Sequence, residues 1–354
     1  RRVMVALALE AVSSFTRDLG GSCTAISLDG DFLVGGSHEG RISCWSPSTG
    51  ERKWESKIEG PISDISLGEK GLFVSSSSIL SCLSKRTGEV LWNADLEGAS
   101  DYVIQGGGVV WATSSVYEIE VSDYVESSLW AFGLDGKLLS SWSFEERCWF
   151  LAPNLEDGVI LGLGRPRCGY LKASIEGGLS HISLPHESPI TAGVVCNSGV
   201  LFGHSNGVIG DLRGSTLANP TGSIRSLEAL DDDSWMYGTE EGEVGGDGWK
   251  VGLGGPVDVI VQRPGKTSAW AISWNGSSSI YSIEGGLNSL EVVHPRRISS
   301  FSRQGGMVVL GDEKGLVYSI KADFLERRLS EGPVEGGEDG RTARMRERLR
   351  GLRK

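Results

Sequence analysis

The chain of 354 residues carries a formal net charge of −12, with 39% hydrophobic and 23% charged residues, a balance that excludes a charge-dominated disordered polymer. Fifty-one glycines against 11 prolines, with no G-X-Y period, exclude a collagen-like chain and point to many tight turns. The last fourteen residues hold seven cationic side chains and one anionic, a net +6 that leaves −18 on the rest and argues against general duplex binding by the body.

Arg1-Arg2 followed by Val3–Leu9 has the outline of a secretory leader, but the apolar run ends after seven residues at Glu10. No later run approaches the ~18 apolar residues of a membrane span. The segment is read as a strand, and no transmembrane segment is expected. Val12–Gly20 resembles the outer strand of the unit that follows it, with Phe15 near the place that Trp54 holds there.

The first unit reads as four short strands, Cys23–Leu28, Phe32–Gly35, Arg41–Trp45 and Glu51–Ile58. Its stretch Cys44–Trp54 aligns over 11 residues with Cys82–Trp92, 38 positions later. Equivalent turns follow at Gly136, Gly177, Gly214, Gly248 and Gly285 and, without glycine, at Asp323, so the steps are 38, 48, 41, 37, 34, 37 and 38. The long step contains an insertion near Tyr117–Glu126. A second mark keeps the same period. It is a G-x-x-x-G hairpin loop at Gly36–Gly40, Gly203–Gly207, Gly238–Gly242 and Gly311–Gly315.

Four-stranded units at 35–45-residue spacing are the signature of propeller blades, which bury their faces only by stacking on one another. The expected fold is therefore all-β: a single propeller over residues 1–329, of about eight blades with seven as the alternative. Closure is expected from an N-terminal strand completing the last unit, Ile298–Ser302, Met307–Gly311 and Leu316–Ile320. Two stacked all-β domains are the other architecture compatible with these strands, but no linker interrupts residues 20–323. Residues 330–340 read as a flexible acidic, Gly-rich linker, and 341–354 as a basic amphipathic tail helix with Met345, Leu349 and Leu352 on one stripe.

The unit D/S-x-x-T-G-x-x-x-W, best in Ser46–Trp54 and Ser84–Trp92 and degraded in Gly133–Trp142, resembles pyrroloquinoline-quinone-type propeller repeats. The hairpin Val34–Ile42 is equally similar to a WD-repeat, although the WD dipeptide is absent. The resemblance implies ring topology and carries no single function. In quinone-dependent dehydrogenases it implies calcium and quinone over the central channel. No convincing Glu/Asn/Asp set around a Trp floor is visible here, so no cofactor, metal or catalytic residue is assigned. Trp111, Trp130, Trp142 and Trp149 are expected to pack between blades.

Six cysteines, Cys23, Cys44, Cys82, Cys148, Cys168 and Cys196, form no CxxC pair and read as small core residues on strands. Free thiols suit a reducing compartment, hence a cytoplasmic location. The five histidines are dispersed and make no metal set. His38 and His204 are read as occupying one hairpin position in two units and facing one rim. Glu39, Glu240, Glu241, Glu243, Asp312 and Glu313 recur in the hairpins, with Asp231–Asp233 nearby, and suggest an acidic arc that steers a basic partner. Arg344, Met345, Arg348, Leu349 and Leu352 add a docking tail for a protein, a nucleic acid or another acidic surface. The function read from the sequence is a non-catalytic interaction scaffold for protein partners. The rival is an enzyme or small-ligand binder using the channel.

Overall fold

The computed structural model describes residues 6–231 and 234–331. Among these residues the strands form eight sheets, each with a core of four antiparallel strands and one of them with a fifth strand added at its edge. Their innermost strands are Cys23–Leu28, Ile62–Leu67, Ala99–Gly106, Cys148–Pro153, Ile190–Cys196, Ile224–Ala229, Val257–Gln262 and Ile298–Gln304, which define blades 1 to 8. Each inner strand packs against the next, and the eighth packs back on the first, so the blades close into a ring. The alternatives of seven blades and of two stacked domains are thereby excluded.

The core lies between neighbouring blades. Val34, Ile42 and Cys44 of blade 1 face Ile65, Leu72 and Val74 of blade 2, all nearly or fully buried. Around the outside, the T-G-x-x-x-W stretch supplies a latch. Trp54 Nε1 donates to Lys85 O of the next blade at 2.8 Å, and Trp92 Nε1 donates to Leu134 O at 3.0 Å. The indole rings lie on Gly88 and Gly136, where any Cβ would overlap them, and both glycines take positive φ.

The ring closes with the same device. Phe15–Asp18 pairs antiparallel with Leu316–Lys321 as the outer strand of blade 8. Phe15 rests on Gly50 as Trp54 rests on Gly88, and Arg17 Nε donates to Gly50 O at 2.6 Å. Just before it, Leu7–Ala8 adds a fifth strand, parallel, to the outer edge of blade 7. Residues 1–5 of the expected first strand lie outside the described residues.

Two elements depart from the sequence reading, of which the first is a short helix, Leu9–Val12, where the first strand was expected to end and the next to begin. In the second, the chain does not turn at Asp323 but continues as a helix, Ala322–Glu331. Leu325 is fully buried, in one apolar cluster with Leu9, Val12 and Trp270, and the partly buried Leu329 packs against that cluster. Beneath it Arg263, 1% exposed, bonds the Glu291 carboxylate at 3.0 and 3.2 Å, while Trp270 Nε1 donates to the same carboxylate at 2.9 Å. Arg263 also reaches Glu326 of the helix. The helix runs to Glu331 and so takes in the first two residues assigned to the linker; nothing further of that segment, nor of the tail, lies within the described residues.

All six cysteines are buried and unpaired. Cys168 is the exception to the strand expectation. It sits in a turn of blade 4 with φ of 58°.

Candidate functional site

The hairpins joining the second and third strands of each blade share one rim with the connections between blades. The first turn residue anchors each hairpin to that connection: His38 N donates to Ser22 O, Ser205 N to Pro189 O, Glu240 N to Ser223 O and Glu313 N to Arg297 O, all at 2.9–3.0 Å. The residue before it, the last of the second strand, is a buried polar group: Ser37, His204, Thr239 or Asp312. Ser37 Oγ accepts from the amides of Glu39 and Arg41, Thr239 Oγ1 from Glu243, and Asp312 Oδ1 from Lys314 and Leu316. The turn thus carries its own cap.

This frame corrects two expectations. His38 and His204 do not share a position, because His204 is equivalent to Ser37 and His38 lies one residue further on. One step along a pleated strand moves a side chain to the other face. His38 is exposed; His204 is fully buried, bonded through Nδ1 to Ser188 O at 3.0 Å. Burial, with His186 beside it, lowers its pKa. Asp312 is likewise fully buried, not displayed. Burial alone raises a carboxylate, but hydrogen bonds from His294 Nε2 and the two turn amides hold Asp312 below its usual range.

Glu39, Glu240, Glu241 and Glu313 are exposed on the rim as expected, but they do not form an uninterrupted acidic arc. Arg225 lies 3.8 Å from Glu240 and 2.9 Å from Asp258, and Arg297 grips Asp258 with two bonds of 2.7 and 2.8 Å. The rim over blades 6 to 8 is therefore a mixed-charge surface. Glu243 is paired with Lys250. Asp231 belongs to the opposite rim, in the loop between the first two strands of blade 6, where it bonds Gln262 and Arg303. Asp232 and Asp233 lie outside the described residues, as do Arg344, Met345, Arg348, Leu349 and Leu352.

The rim has an inner ring that the sequence did not disclose. Every inner strand breaks its register within its first few residues. The extra residues are Thr24, Ser63, Asp101–Tyr102, Trp149, Thr191, Arg225, Asp258 and Ser299, and such a bulge re-aims its side chain. In blades 1, 2, 5 and 8 it is a hydroxyl bonding local carbonyls. Ser63 reaches Ser100 O, Thr191 reaches Ile224 O and Ser299 reaches Cys23 O, each in the next blade. In blades 3, 4, 6 and 7 it is a charged or aromatic group instead.

Blades 3 and 4 carry the largest departure. The insertion lengthens one hairpin to Val109–Glu118 and Asp123–Gly133, with Tyr117, Ile119, Val121 and Val125 at 51, 83, 59 and 41% exposure near its tip. Its base is braced. Arg147 lies 3.9 Å from the Tyr124 ring and 4.4 Å from Trp149, and bonds Asp101 at 3.0 Å. Trp149, expected between blades, is 41% exposed over this stack, whereas Trp111 and Trp142 do stack on each other. The 48-residue step was the one signal of this feature.

At the opposite mouth a cavity of about 580 Å³ is lined by Leu155, Val194, Cys196, Glu228, Leu230 and Arg303. Burial pushes the Glu228 carboxyl up, against the Arg303 guanidinium 2.8 Å away. Among the described residues no three His, Cys, Asp or Glu side chains converge as a metal site, and no helix is long and apolar enough to cross a membrane.

No known family model matches the sequence, and no curated protein matches it significantly. Solved structures do share its fold. The computationally designed Ika8 protein matches with a TM-score of 0.67 at 16% identity, over 86% of this chain and 98% of that one. Sqt1 of Saccharomyces cerevisiae gives 0.70 at 13% identity, over 88% and 98%. BamB of Moraxella catarrhalis gives 0.66 at 15% identity, over 87% and 97%. At such identities the likeness establishes the β-propeller and nothing finer.

Proposed function

We propose that this propeller is a non-catalytic scaffold whose hairpin rim docks protein partners, chiefly over blades 3 and 4. One observation carries the reading: a hairpin braced by the Tyr124–Arg147–Trp149 stack holds four large apolar side chains in solvent. Exposed apolar groups on a pre-organised support are characteristic of interaction surfaces, and aromatic and arginine anchors dominate their energetics. The mixed charges over blades 6 to 8 suit orientation of the partner more than its affinity. The basic segment Arg341–Lys354 supplies a second contact in this reading, the buried free thiols suit a cytoplasmic location, and the blades belong with WD-type or quinone-type repeats.

The test is co-purification of the tagged protein with and without Ile119→Ser plus Val121→Ser. A stoichiometric partner retained by the wild type and lost by the variant, with melting temperature unchanged, supports the reading. A partner that stays bound to the variant places the interface elsewhere. A second reading, a small-ligand site, is favoured by the Glu228–Arg303 cavity. Saturable binding abolished by Arg303→Met, with rim variants unaffected, favours it over the first.

A further inference from the structure

On the flank away from the hairpin rim, the loops of blades 1 and 2 enclose a cleft of about 530 Å³. Four cations line it, Lys53, Lys70, Lys85 and Arg86, together with Asp31 and Glu69. Lys53 Nζ sits 4.3 Å and Lys85 Nζ 5.7 Å from the centre of the Phe32 ring, so the two ammonium groups converge on one aromatic side chain. Each is anchored by a single backbone carbonyl: Lys53 by Asp31 O at 2.7 Å, Lys85 by Gly68 O at 2.6 Å. Among the described residues none of the four cations forms an ion pair, whereas many other arginines and lysines of the body do.

Such a gathering is unfavourable by itself, since like charges repel and each ammonium keeps unused donors. It is also improbable by composition, because the body outside the tail is strongly acidic. The scaffold holds it in place: the carbonyl of Lys85 accepts the Trp54 indole bond, and the neighbouring Gly88 carbonyl accepts Ser56 Oγ at 2.6 Å. Leu91, 57% exposed, continues the cleft with an apolar wall.

We infer that this cleft binds an acidic peptide segment carrying apolar side chains, through Lys53, Lys70, Lys85 and Arg86 with Phe32 and Leu91. The geometry favours a peptide over other anions. Single-stranded nucleic acid needs a free aromatic face for base stacking, and the Phe32 face is occupied by Lys53. Lysine and arginine also bind phosphate, but a compact phosphate makes no use of the apolar Phe32 and Leu91 or of cations spread over two blades. An extended chain spans that separation. The inference is independent of the rim reading, because it concerns the opposite loops.

The probe is a fluorescein-labelled hexapeptide alternating glutamate and leucine, followed by anisotropy at low salt. Binding is expected to weaken about tenfold in the double variant Lys53→Gln, Lys85→Gln, as loss of two semi-exposed charge contacts implies, and to weaken with rising salt. Arg86→Gln, an exposed change that leaves the Trp54 latch intact, is expected to weaken it by a smaller factor, while Lys250→Gln on blade 6 leaves it unchanged. Absence of binding at about 1 mM peptide, or equal affinity in the double variant, overturns the inference. Tighter binding of oligouridine or inorganic phosphate through the same lysines also overturns it, in favour of a nucleic-acid or phosphate site.

Discussion

Blades 1, 2, 5 and 8 and blades 3, 4, 6 and 7 hold the same bulge in the same inner strand and use it differently. In the first set a Thr or Ser hydroxyl closes hydrogen bonds within the ring, three of them across a blade junction. In the second set Asp101, Arg225 and Asp258 are engaged in ion pairs, that of Arg225 with Asp258 also crossing a blade junction, and Trp149 turns aromatic surface to the rim. A repeat therefore varies the chemistry of one position without changing its backbone. The bulge fixes where a side chain goes, and the residue type decides whether it closes a hydroxyl bond, forms an ion pair or leaves aromatic surface exposed.

This division is open to direct attack. Trp149→Ala carries the largest expected effect, a loss of about 2 kcal/mol or more in affinity for the co-purified partner, as at interface anchors, with a small change in melting temperature because the ring is 41% exposed. A large stability loss with affinity intact would place Trp149 in the structural set. Thr191→Val reverses the pattern. Losing the single hydroxyl bond, directed chiefly at Ile224 O and shared with Gly203 O, is expected to cost about 1–2 kcal/mol in chemical denaturation and to leave partner affinity unchanged. Trp54→Phe samples the outer latch, deleting one hydrogen bond and trimming the ring that lies on Gly88, for about 1–2 kcal/mol.

A pH experiment sharpens the structural set further. Asp64, next to the Ser63 bulge, ties blade 2 to blade 3 by accepting from Val103 N at 2.9 Å. Burial pushes its pKa up to about 6, against the hydrogen bonds from Val103 and Ile65, from an ordinary value of 3.8. The folded state thus holds a proton that the unfolded chain releases. The contribution is fully present below about pH 4 and is lost as pH rises through 6. Asp64→Asn is expected to show a flatter stability profile across pH 4–6 than the wild type, measured by urea denaturation. Parallel profiles would remove Asp64 from the account.

Much of the ring was legible in the sequence, for physical reasons. Glycines at positive φ recur because each turn and each indole contact demands them, and Trp54 and Trp92 recur because each latch needs a ring and a donor. The closing strand was readable because Phe15 must rest on Gly50 as the tryptophans rest on theirs. The site was less legible. Bulges leave no compositional mark, so the register at Thr24 or Arg225 is invisible in a string, and a one-residue slip joined exposed His38 to buried His204. Glu240 and Glu313 fall on one rim, but their arginine neighbours, Arg225 and Arg297, stand at the entrance to each blade's inner strand, a placement no spacing in the string reveals. Ala322–Glu331 was hidden because its stripe, Leu325 and Leu329, is completed only by Leu9 and Val12, more than 300 positions away.

Hydrogen exchange of the full-length chain, with and without the co-purified partner, tests the central claim most directly. The account predicts added protection in residues 117–126 and 147–150, a smaller gain around Arg225 and Asp258, and none in the hydroxyl-stitched inner strands of blades 1, 2, 5 and 8. Protection confined to the opposite loops around Glu228 and Arg303, with the blade 3 hairpin exchanging as before, would contradict it.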